Sequence, residues 1–114
     1  RRGGMARFVK GDVVVVPFPF SDLSQAKRRP ALVMAGLRGD DLILCQITSQ
    51  AVKDSYAVAI EDADFAEGGL KQPSHIRPNR LFTADSQIIL YRVGRLAPAT
   101  LDRVIDRIVE ILRG

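Results

Sequence analysis

The chain has 114 residues, of which 46% are apolar. That size and composition are typical of one compact domain and argue against intrinsic disorder. The net charge of +4 favours polyanions such as nucleic acid, or acidic proteins, as partners. No apolar stretch approaches the roughly 20 residues that a membrane span needs, and the basic start lacks the apolar core of an export signal.

A single cysteine, Cys45, lies in the apolar run from Leu42 to Ile47. One cysteine cannot form an intrachain disulfide and is too few for a cysteine-based metal site. We therefore interpret Cys45 as core filling, and expect the protein to be cytoplasmic. Arg1 to Gly4 precede Met5 and are interpreted as an expression remnant or disordered leader, which leaves 5–114 as one domain.

Short apolar runs, several with a period of two, dominate the first three quarters of the chain and predict strands. The predicted strands are Val13 to Phe20, Pro30 to Leu37, Leu42 to Thr48, Tyr56 to Ile60, Ser74 to Phe82 and Ile88 to Leu96. Pro17 and Pro19 indicate that the first strand ends at a sheet edge or bends there. The polar segment from Ser21 to Arg29 is predicted to be a flexible loop, and Asp62 to Phe65 a short helical turn that Gly68 and Gly69 stop.

The last segment changes to a helical period that begins at Pro98, a favourable first helical residue. Its apolar residues recur every three to four positions and predict one stripe packed against a sheet. These residues are Leu101, Val104, Ile105, Ile108, Ile111 and Leu112, with Val109 beside the stripe. The predicted fold is therefore mainly β, with five to seven antiparallel strands in a small, partly open barrel and one C-terminal α-helix.

Sequence motifs for nucleotide-driven and zinc enzymes are absent, and His75 is the only histidine. Cationic, hydroxyl and other polar side chains instead lie close together near predicted strand ends. They are Lys27, Arg28 and Arg29, then Thr48, Ser49 and Gln50, then His75, Arg77 and Arg80. RNA cleavage without a metal needs a base, a phosphate stabiliser and a proton donor, which these residue types supply.

Each of these groups also has an ordinary structural interpretation. A basic triplet is commonly a solvated loop, and hydroxyl residues at a strand end commonly bond the local backbone. A lone histidine is more often a surface or hydrogen-bonded residue than a catalyst, and exposed arginines protect sheet edges. The pattern of residues alone leaves both interpretations open.

Three blocks, spread over nearly the whole chain from Lys10 onward, resemble the PemK/MazF family of type II toxin–antitoxin ribonucleases. The first is KGDVVVVPF from Lys10, the second RRPALVM from Arg28 with ITSQ from Ile47, and the third Ser74 to Asp85 followed by VGRL from Val93. The Arg-Pro pair and the Thr-Ser pair, at this spacing after a Gly-Asp strand, are the specific part of the resemblance.

The resemblance implies an SH3-like barrel, a homodimer, no cofactor or metal, a protein antitoxin as partner, and sequence-selective cleavage of single-stranded mRNA. It implies a 2′,3′-cyclic phosphate and a 5′-hydroxyl as product ends. Arg29 matches the family's catalytic arginine and Thr48 its catalytic threonine. Gln25, Lys27, Arg28, Ser49, Gln50, Arg77 and Arg80 are predicted to bind RNA.

The chain departs from the family pattern in two places. Ser24 stands where relatives often have an acidic residue, and Phe82 where some have an arginine. The general base is therefore open: His75 is the candidate on chemical grounds, with Asp22 and Asp85 as the other titratable residues nearby in sequence. Two further functions stay open, a non-catalytic nucleic-acid-binding member of the fold and a toxin that inhibits gyrase.

Overall fold

The computed structural model describes residues 8–18 and 27–114, and within them the chain is mainly β with one C-terminal helix. The strands are β1 (Asp12–Phe18), β2 (Lys27–Gly36), β3 (Asp41–Thr48), β4 (Val58–Ile60), β5 (Phe65–Gly68), β6 (Ser74–Asp85) and β7 (Tyr91–Leu96). The helix α1 is Pro98–Arg113, and two short 3-10 helices are Asp62–Asp64 and Ser86–Ile88. The proposed leader, Asp22, Ser24 and Gln25 lie outside the described residues.

In this part of the chain the strands form one sheet in the order β4-β6-β3-β2-β1-β7-β5, with every pairing antiparallel. The sheet curls into a half-barrel, which confirms the predicted partly open barrel with a C-terminal helix. The longest strands, β2, β3 and β6, lie side by side. Their facing residues are therefore held in a fixed register, on which the geometry of any site depends.

Alternation along the central strands separates two apolar clusters, one on each face of the sheet. The face that carries α1, here called the helix face, is built on Val13, Leu32, Cys45, Ile47, Ile76 and Val104. The opposite face, here called the open face, is built on Val14, Val16, Ala31, Val33, Leu42 and Leu44. Both clusters consist of buried side chains.

Strand β2 begins three residues earlier than predicted. Lys27, Arg28 and Arg29 were expected in the flexible loop, but they belong to β2 and pair with the end of β1, where Val16 faces Arg29 and Phe18 faces Lys27. The prediction of a loop was wrong here because their polarity reflects exposure rather than a lack of regular structure. The arginines are therefore held by the sheet ladder.

Two other details follow from local pairing. β1 pairs with β7 only as far as Val15, so Pro17 lies where β1 has a neighbour on one side alone, as its missing N–H requires. The predicted helical turn is a 3-10 helix that runs into β5, a strand that the sequence analysis missed. β5 escaped notice because it has four residues and pairs only with β7.

Helix α1 begins at Pro98, as predicted, and is fixed at its first turn. The buried Thr100 donates its hydroxyl hydrogen to Asp64 Oδ1 at 2.8 Å, and the Ala97 N–H donates to the Asp64 carbonyl, also at 2.8 Å. Most of the predicted stripe packs on the helix-face cluster, but Leu112 does not, since 75% of its surface is exposed. The prediction for Leu112 was wrong: this side chain, in the last turn of α1, is exposed and does not join the cluster.

A buried carboxylate, that of Asp12, connects β1 to β7 and, through Arg92, to β5. Asp12 accepts hydrogen bonds from the Val9 N–H at 2.9 Å and from Arg92 Nε at 3.1 Å. Arg92 Nη2 also donates to Glu67 of β5 at 2.8 Å. Asp12 is almost fully buried, and Arg95 Nε also lies 3.5 Å from its Oδ1, so two arginines of β7 compensate this buried charge and stabilise the β1–β7–β5 side.

No helix in the described residues has the length and apolar character to cross a membrane.

Cys45 is fully buried in the helix-face cluster, as predicted, and its Sγ donates to the Arg77 carbonyl at 2.9 Å. Burial raises the pKa of this thiol to about 12, with the Arg77 contact lowering it slightly. A raised thiol pKa means that the unfolded state loses its proton first as pH rises, so the thiol's contribution to stability is complete below pH 9 and is lost between pH 9 and 12.

We expect the free energy of unfolding to fall between pH 8 and pH 10 by on the order of 1 kcal/mol more in the natural chain than in Cys45→Ala. Urea denaturation of both proteins at the two pH values measures the difference. An identical decline in the two proteins would contradict the burial of the neutral thiol.

Candidate functional site

The three predicted catalytic residues fall on one row across adjacent strands. Thr48 of β3 lies directly opposite His75 of β6. On the other side of β3, Gln46 lies opposite Ala31 of β2, and extending that register by two residues places Arg29 opposite Thr48. Side chains directly opposite each other point to the same face of a sheet. Arg29, Thr48 and His75, here called the polar row, therefore project together from the open face.

Alternation along β2 divides the basic triplet between the two faces. Lys27 and Arg29 are two residues apart and share the face of Ala31, whereas Arg28 points to the other face. All three side chains are exposed. Lys27 and Arg29 are thus the cations of β2 that can act beside Thr48.

The Thr48 hydroxyl serves the local backbone, as threonine at a strand end commonly does. Thr48 Oγ1 accepts a hydrogen bond from the Gln50 N–H at 3.1 Å, which turns the chain away from β3. A hydroxyl that accepts one bond keeps its own hydrogen to donate. Ser49 and Gln50 follow in this turn with exposed side chains, so the turn adds polar groups next to the polar row.

His75 is half-buried between Thr48 and Ala59, its neighbours on β3 and β4. Its Nδ1 is buried and has no hydrogen-bond partner among the described residues. A buried imidazole nitrogen usually has such a partner, because losing water without replacing it is unfavourable. His75 is therefore the member of the polar row with an unused buried polar atom.

Beyond His75, strand β6 bulges away from β3. Ile76 pairs with Ile47 and Leu81 with Cys45, so the four residues between them, 77–80, stand opposite Gln46 alone. A bulge of this kind redirects side chains next to a site. It carries Arg77 and Arg80, two of the predicted RNA-binding residues, away from the regular ladder.

Arg77 has an intramolecular partner. Its Nη2 donates to Asp54 Oδ2 at 3.0 Å, and Asn79 Nδ2 contacts the same oxygen at 3.5 Å. The buried Nε of Arg77 has no partner within the part of the chain that the structure describes. Arg77 therefore holds Asp54, and with it the segment that follows Thr48, rather than standing free for a ligand.

The segment 49–57 is also attached to α1. Arg107 Nη1 donates to the carbonyl oxygens of Ser55 and Tyr56, both at 3.0 Å, and Asp54 Oδ1 accepts from the Tyr56 N–H at 3.0 Å. The bulge and the helix together fix the path of the chain after the polar row.

Some cations of the described chain are in ion pairs and others are not. Four arginines of β7 and α1 are paired with carboxylates: Arg92, Arg95, Arg103 and Arg107. Four cations near the polar row have no ion pair with any other described residue: Lys27, Arg28, Arg29 and Arg80. Their positive charge is therefore not neutralised and can attract phosphate.

The other titratable candidate described, Asp85, is not in the polar row. It ends β6 opposite Asp41, and its carboxylate accepts from the Gln87 N–H at 2.8 Å. Phe82, the predicted replacement for an arginine, packs on the open-face cluster. Gln25 and Asp22 lie outside the described ranges. Within 8–18 and 27–114, no three His, Cys, Asp or Glu residues are grouped so that they could hold a metal ion.

The family model for PemK-like, MazF-like toxins of type II toxin–antitoxin systems matches residues 9–112. The chain belongs to this family. The match includes every strand and all but the last residue of the helix, so family membership rests on nearly the whole described chain rather than on the polar row alone. A search of curated proteins gives no match.

Solved structures of this toxin fold are similar to the chain. An endoribonuclease from a mycobacterial species, in complex with its cognate antitoxin, superposes with a TM-score of 0.74 at 14% identity, over 94% of this chain and 96% of that one. MazF from Deinococcus radiodurans gives 0.72 at 19% identity, over 93% and 96%. A MazE-MazF structure from the same organism gives 0.74 at 17%, over 92% and 95%. These similarities show a shared PemK/MazF-like fold.

The sequence analysis of this PemK/MazF-like toxin missed one polar residue on the open face, Gln46. It lies two residues before Thr48 on β3 and is half-buried. The signal available in the sequence was the period of two, which places Gln46 and Thr48 on the same face. It was overlooked because Gln46 lies inside an apolar run.

The pairing of Arg77 with Asp54 can be tested through the pKa of the carboxyl. Burial by itself raises this pKa, but the hydrogen bond from Arg77, with the Tyr56 and Ala57 N–H groups and the Arg77 charge, outweighs it and lowers the pKa below its ordinary value of 3.8. We expect the Asp54 pKa, followed by NMR titration, to rise in Arg77→Leu.

The control is Arg80→Leu, which removes a bulge arginine that has no carboxylate partner in the described chain and should leave the Asp54 titration unchanged. An Asp54 pKa that stays the same in Arg77→Leu would show that Arg77 is free in solution.

Proposed function

We propose that this toxin is a metal-independent, sequence-selective endoribonuclease that cleaves single-stranded mRNA. The observation that carries the proposal is the polar row, in which a cation, a hydroxyl and an imidazole project from one face of three adjacent strands. Arg29 has no carboxylate partner among the described residues, so its charge is available for a phosphate.

The spacing of the row suits a phosphodiester. Neighbouring strands lie about 4.8 Å apart, so Arg29 and His75 stand roughly 10 Å apart on either side of Thr48. A phosphate placed over Thr48 then has a guanidinium on one side and an imidazole on the other. In attack by the 2′-hydroxyl, the attacking and leaving oxygens lie on opposite sides of the phosphorus. His75 can then act as base on one side, while Arg29 stabilises the charge and the leaving oxygen on the other.

In the proposed reaction the 2′-oxygen attacks the adjacent phosphorus and the bond to the 5′-oxygen breaks. His75 takes the proton of the 2′-hydroxyl. Arg29 binds the non-bridging oxygens and donates a hydrogen bond to the leaving 5′-oxygen, while the Thr48 hydroxyl holds the same phosphate. The 5′-oxygen takes up a proton from solvent as its bond to phosphorus breaks, and His75 releases the proton of the 2′-hydroxyl to solvent afterwards. The products are a 2′,3′-cyclic phosphate and a 5′-hydroxyl, and no water is consumed in this step.

RNA on either side of the cleaved bond would contact the polar groups around the row. We assign phosphate binding beside the row to Lys27 and Arg80, and further contacts to Gln25, Ser49 and Gln50. Arg28, whose side chain points to the other face of β2, would contact RNA only beyond the row. Arg77 would act chiefly by holding Asp54 and the 49–57 segment. Because the cations near the row have no ion pairs within the described chain, binding should weaken as salt rises.

We also propose that the toxin acts in the cytoplasm as a homodimer and is neutralised by a cognate antitoxin protein. Support comes from family membership and from similar folds solved as an endoribonuclease with its antitoxin and as MazE-MazF. The unpaired cations near the row favour an acidic antitoxin segment laid over the same surface.

Arg29→Ala is expected to reduce the rate of RNA cleavage roughly 100- to 1,000-fold, because it removes the charge that stabilises the transition state. Purified proteins are incubated with long single-stranded RNA in excess EDTA, and the 5′-hydroxyl ends are counted by sequencing. The matched control is Arg38→Ala, an exposed arginine in the turn at the opposite end of β2, which should cleave like the natural chain.

Intact RNA with the natural chain would contradict the proposed activity. RNA binding without cleavage would then indicate a non-catalytic nucleic-acid-binding protein, and inhibition of gyrase without RNA binding would indicate the other type of toxin. Equal cleavage by Arg29→Ala and the natural chain would remove Arg29 from the site.

His75→Gln tests the general base. Glutamine keeps a polar side chain but cannot take up a proton, so we expect a slower reaction whose rate lacks one ionisation of the natural pH profile. The measurement is the rate against pH under saturating RNA for both proteins. An unchanged profile shape in His75→Gln would assign the base to another group.

A further inference from the structure

Gln46 is a polar residue on the open face to which the proposed reaction gives no role. It precedes Thr48 by two residues on β3, and its partner Ala31 follows Arg29 by two residues on β2. Gln46 therefore lies diagonally next to Arg29 and directly beside Thr48 on the same face. Its amide therefore lies close to any phosphate that the polar row binds.

The surroundings of Gln46 form a shallow surface recess, in which Arg29 and Gln46 are the side chains with polar groups. The apolar lining includes two aromatic rings, Phe18 and Phe82, whose centroids are 5.8 Å apart and whose planes are tilted by 48°. The recess thus joins a cation, an amide and aromatic surface in one place. These are the groups that bind a phosphate, the edge of a nucleobase and its face, respectively.

The amide of Gln46 is not committed within the protein. It forms no hydrogen bond with another described residue, although Gln46 is half-buried. The bulge formed by 77–80 also leaves Gln46 without a regular cross-strand neighbour on β6. A partly buried amide that relies on water gains from a ligand that offers both a donor and an acceptor.

We propose that Gln46 is a specificity-determining residue that binds the edge of the nucleobase next to the cleaved phosphate. The inference rests on the proposed RNA cleavage and names the part of the substrate that Gln46 recognises. The recess is too shallow to enclose a base, so the base lies across its mouth with its edge towards the amide. Because Arg29 lines the same recess, phosphate binding and base recognition concern the same or adjoining nucleotides.

A glutamine amide presents one acceptor and two donor hydrogens, and so forms two parallel hydrogen bonds with one edge of a base. Replacing it by leucine keeps the approximate volume and removes both bonds. Replacing it by glutamate keeps the shape but removes the donors, so a base that offers donors is favoured instead. The two substitutions therefore give different results if Gln46 recognises a base edge.

The experiment compares the natural chain, Gln46→Leu, Gln46→Glu and a control, Gln87→Leu, which changes an exposed glutamine of the Ser86–Ile88 turn. Random-sequence RNA is cleaved and the fragment ends are sequenced. We expect Gln46→Leu to lose preference for one base at one position, with a roughly 10- to 100-fold lower rate on the preferred sequence. Gln46→Glu should change the preferred base there, and Gln87→Leu should match the natural chain.

A second measurement does not depend on cleavage. A random pool of 2′-O-methyl RNA, which has no free 2′-hydroxyl to attack, is bound to each protein and the bound sequences are determined. If the natural chain cleaves nothing but selects a base that Gln46→Leu does not select, the cleavage proposal fails and the role of Gln46 stands. Two results would overturn the role of Gln46. One is an unchanged base preference in Gln46→Leu, and the other is a loss of binding and cleavage that is equal for all bases at every position.

Discussion

The register of β3 between β2 and β6 is the constraint on which the candidate site depends. Thr48 faces His75 on one side, and the ladder with β2 runs towards Arg29 on the other. A shift of either neighbour by one residue would turn Arg29 or His75 to the opposite face, because side chains alternate along a strand. The two apolar clusters oppose such a shift, since it would exchange buried and exposed positions along the whole strand.

The bulge in β6 interrupts the regular pairing with β3 next to the polar row. Four residues stand opposite Gln46, so β6 pairs with β3 on both sides of the bulge and leaves Gln46 without a regular neighbour on β6. The bulge is not a loose insertion. The Arg77 carbonyl accepts the Cys45 thiol hydrogen and the Arg77 side chain binds Asp54, so it is fixed both to the core and to the segment after Thr48.

The ion pairs identify arginines that stabilise the fold. Asp12, Glu67 and Asp64 engage arginines of β7 and α1, and Asp54 engages Arg77. Within the described chain, Arg29 and Lys27 have no such partner. A cation without a carboxylate beside an imidazole and a hydroxyl is suited to a phosphate, which is why the proposed activity is assigned to this face.

Sequence by itself determined the architecture and the residue types of the site. The periods of two and of 3.6 predicted the β-rich half-barrel and a helix from Pro98, and the Arg-Pro and Thr-Ser pairs indicated the family that the match over 9–112 shows. These features are local or depend on composition, so they can be recognised in the sequence without knowing which strands pair. Tertiary structure alone decided the rest: that Lys27, Arg28 and Arg29 belong to a strand, that Arg77 is paired with a residue 23 positions away, and that Gln46 shares a recess with Arg29. Each of these depends on which strands pair and in which register, and that is set by burial of the two clusters as a whole rather than by any short segment.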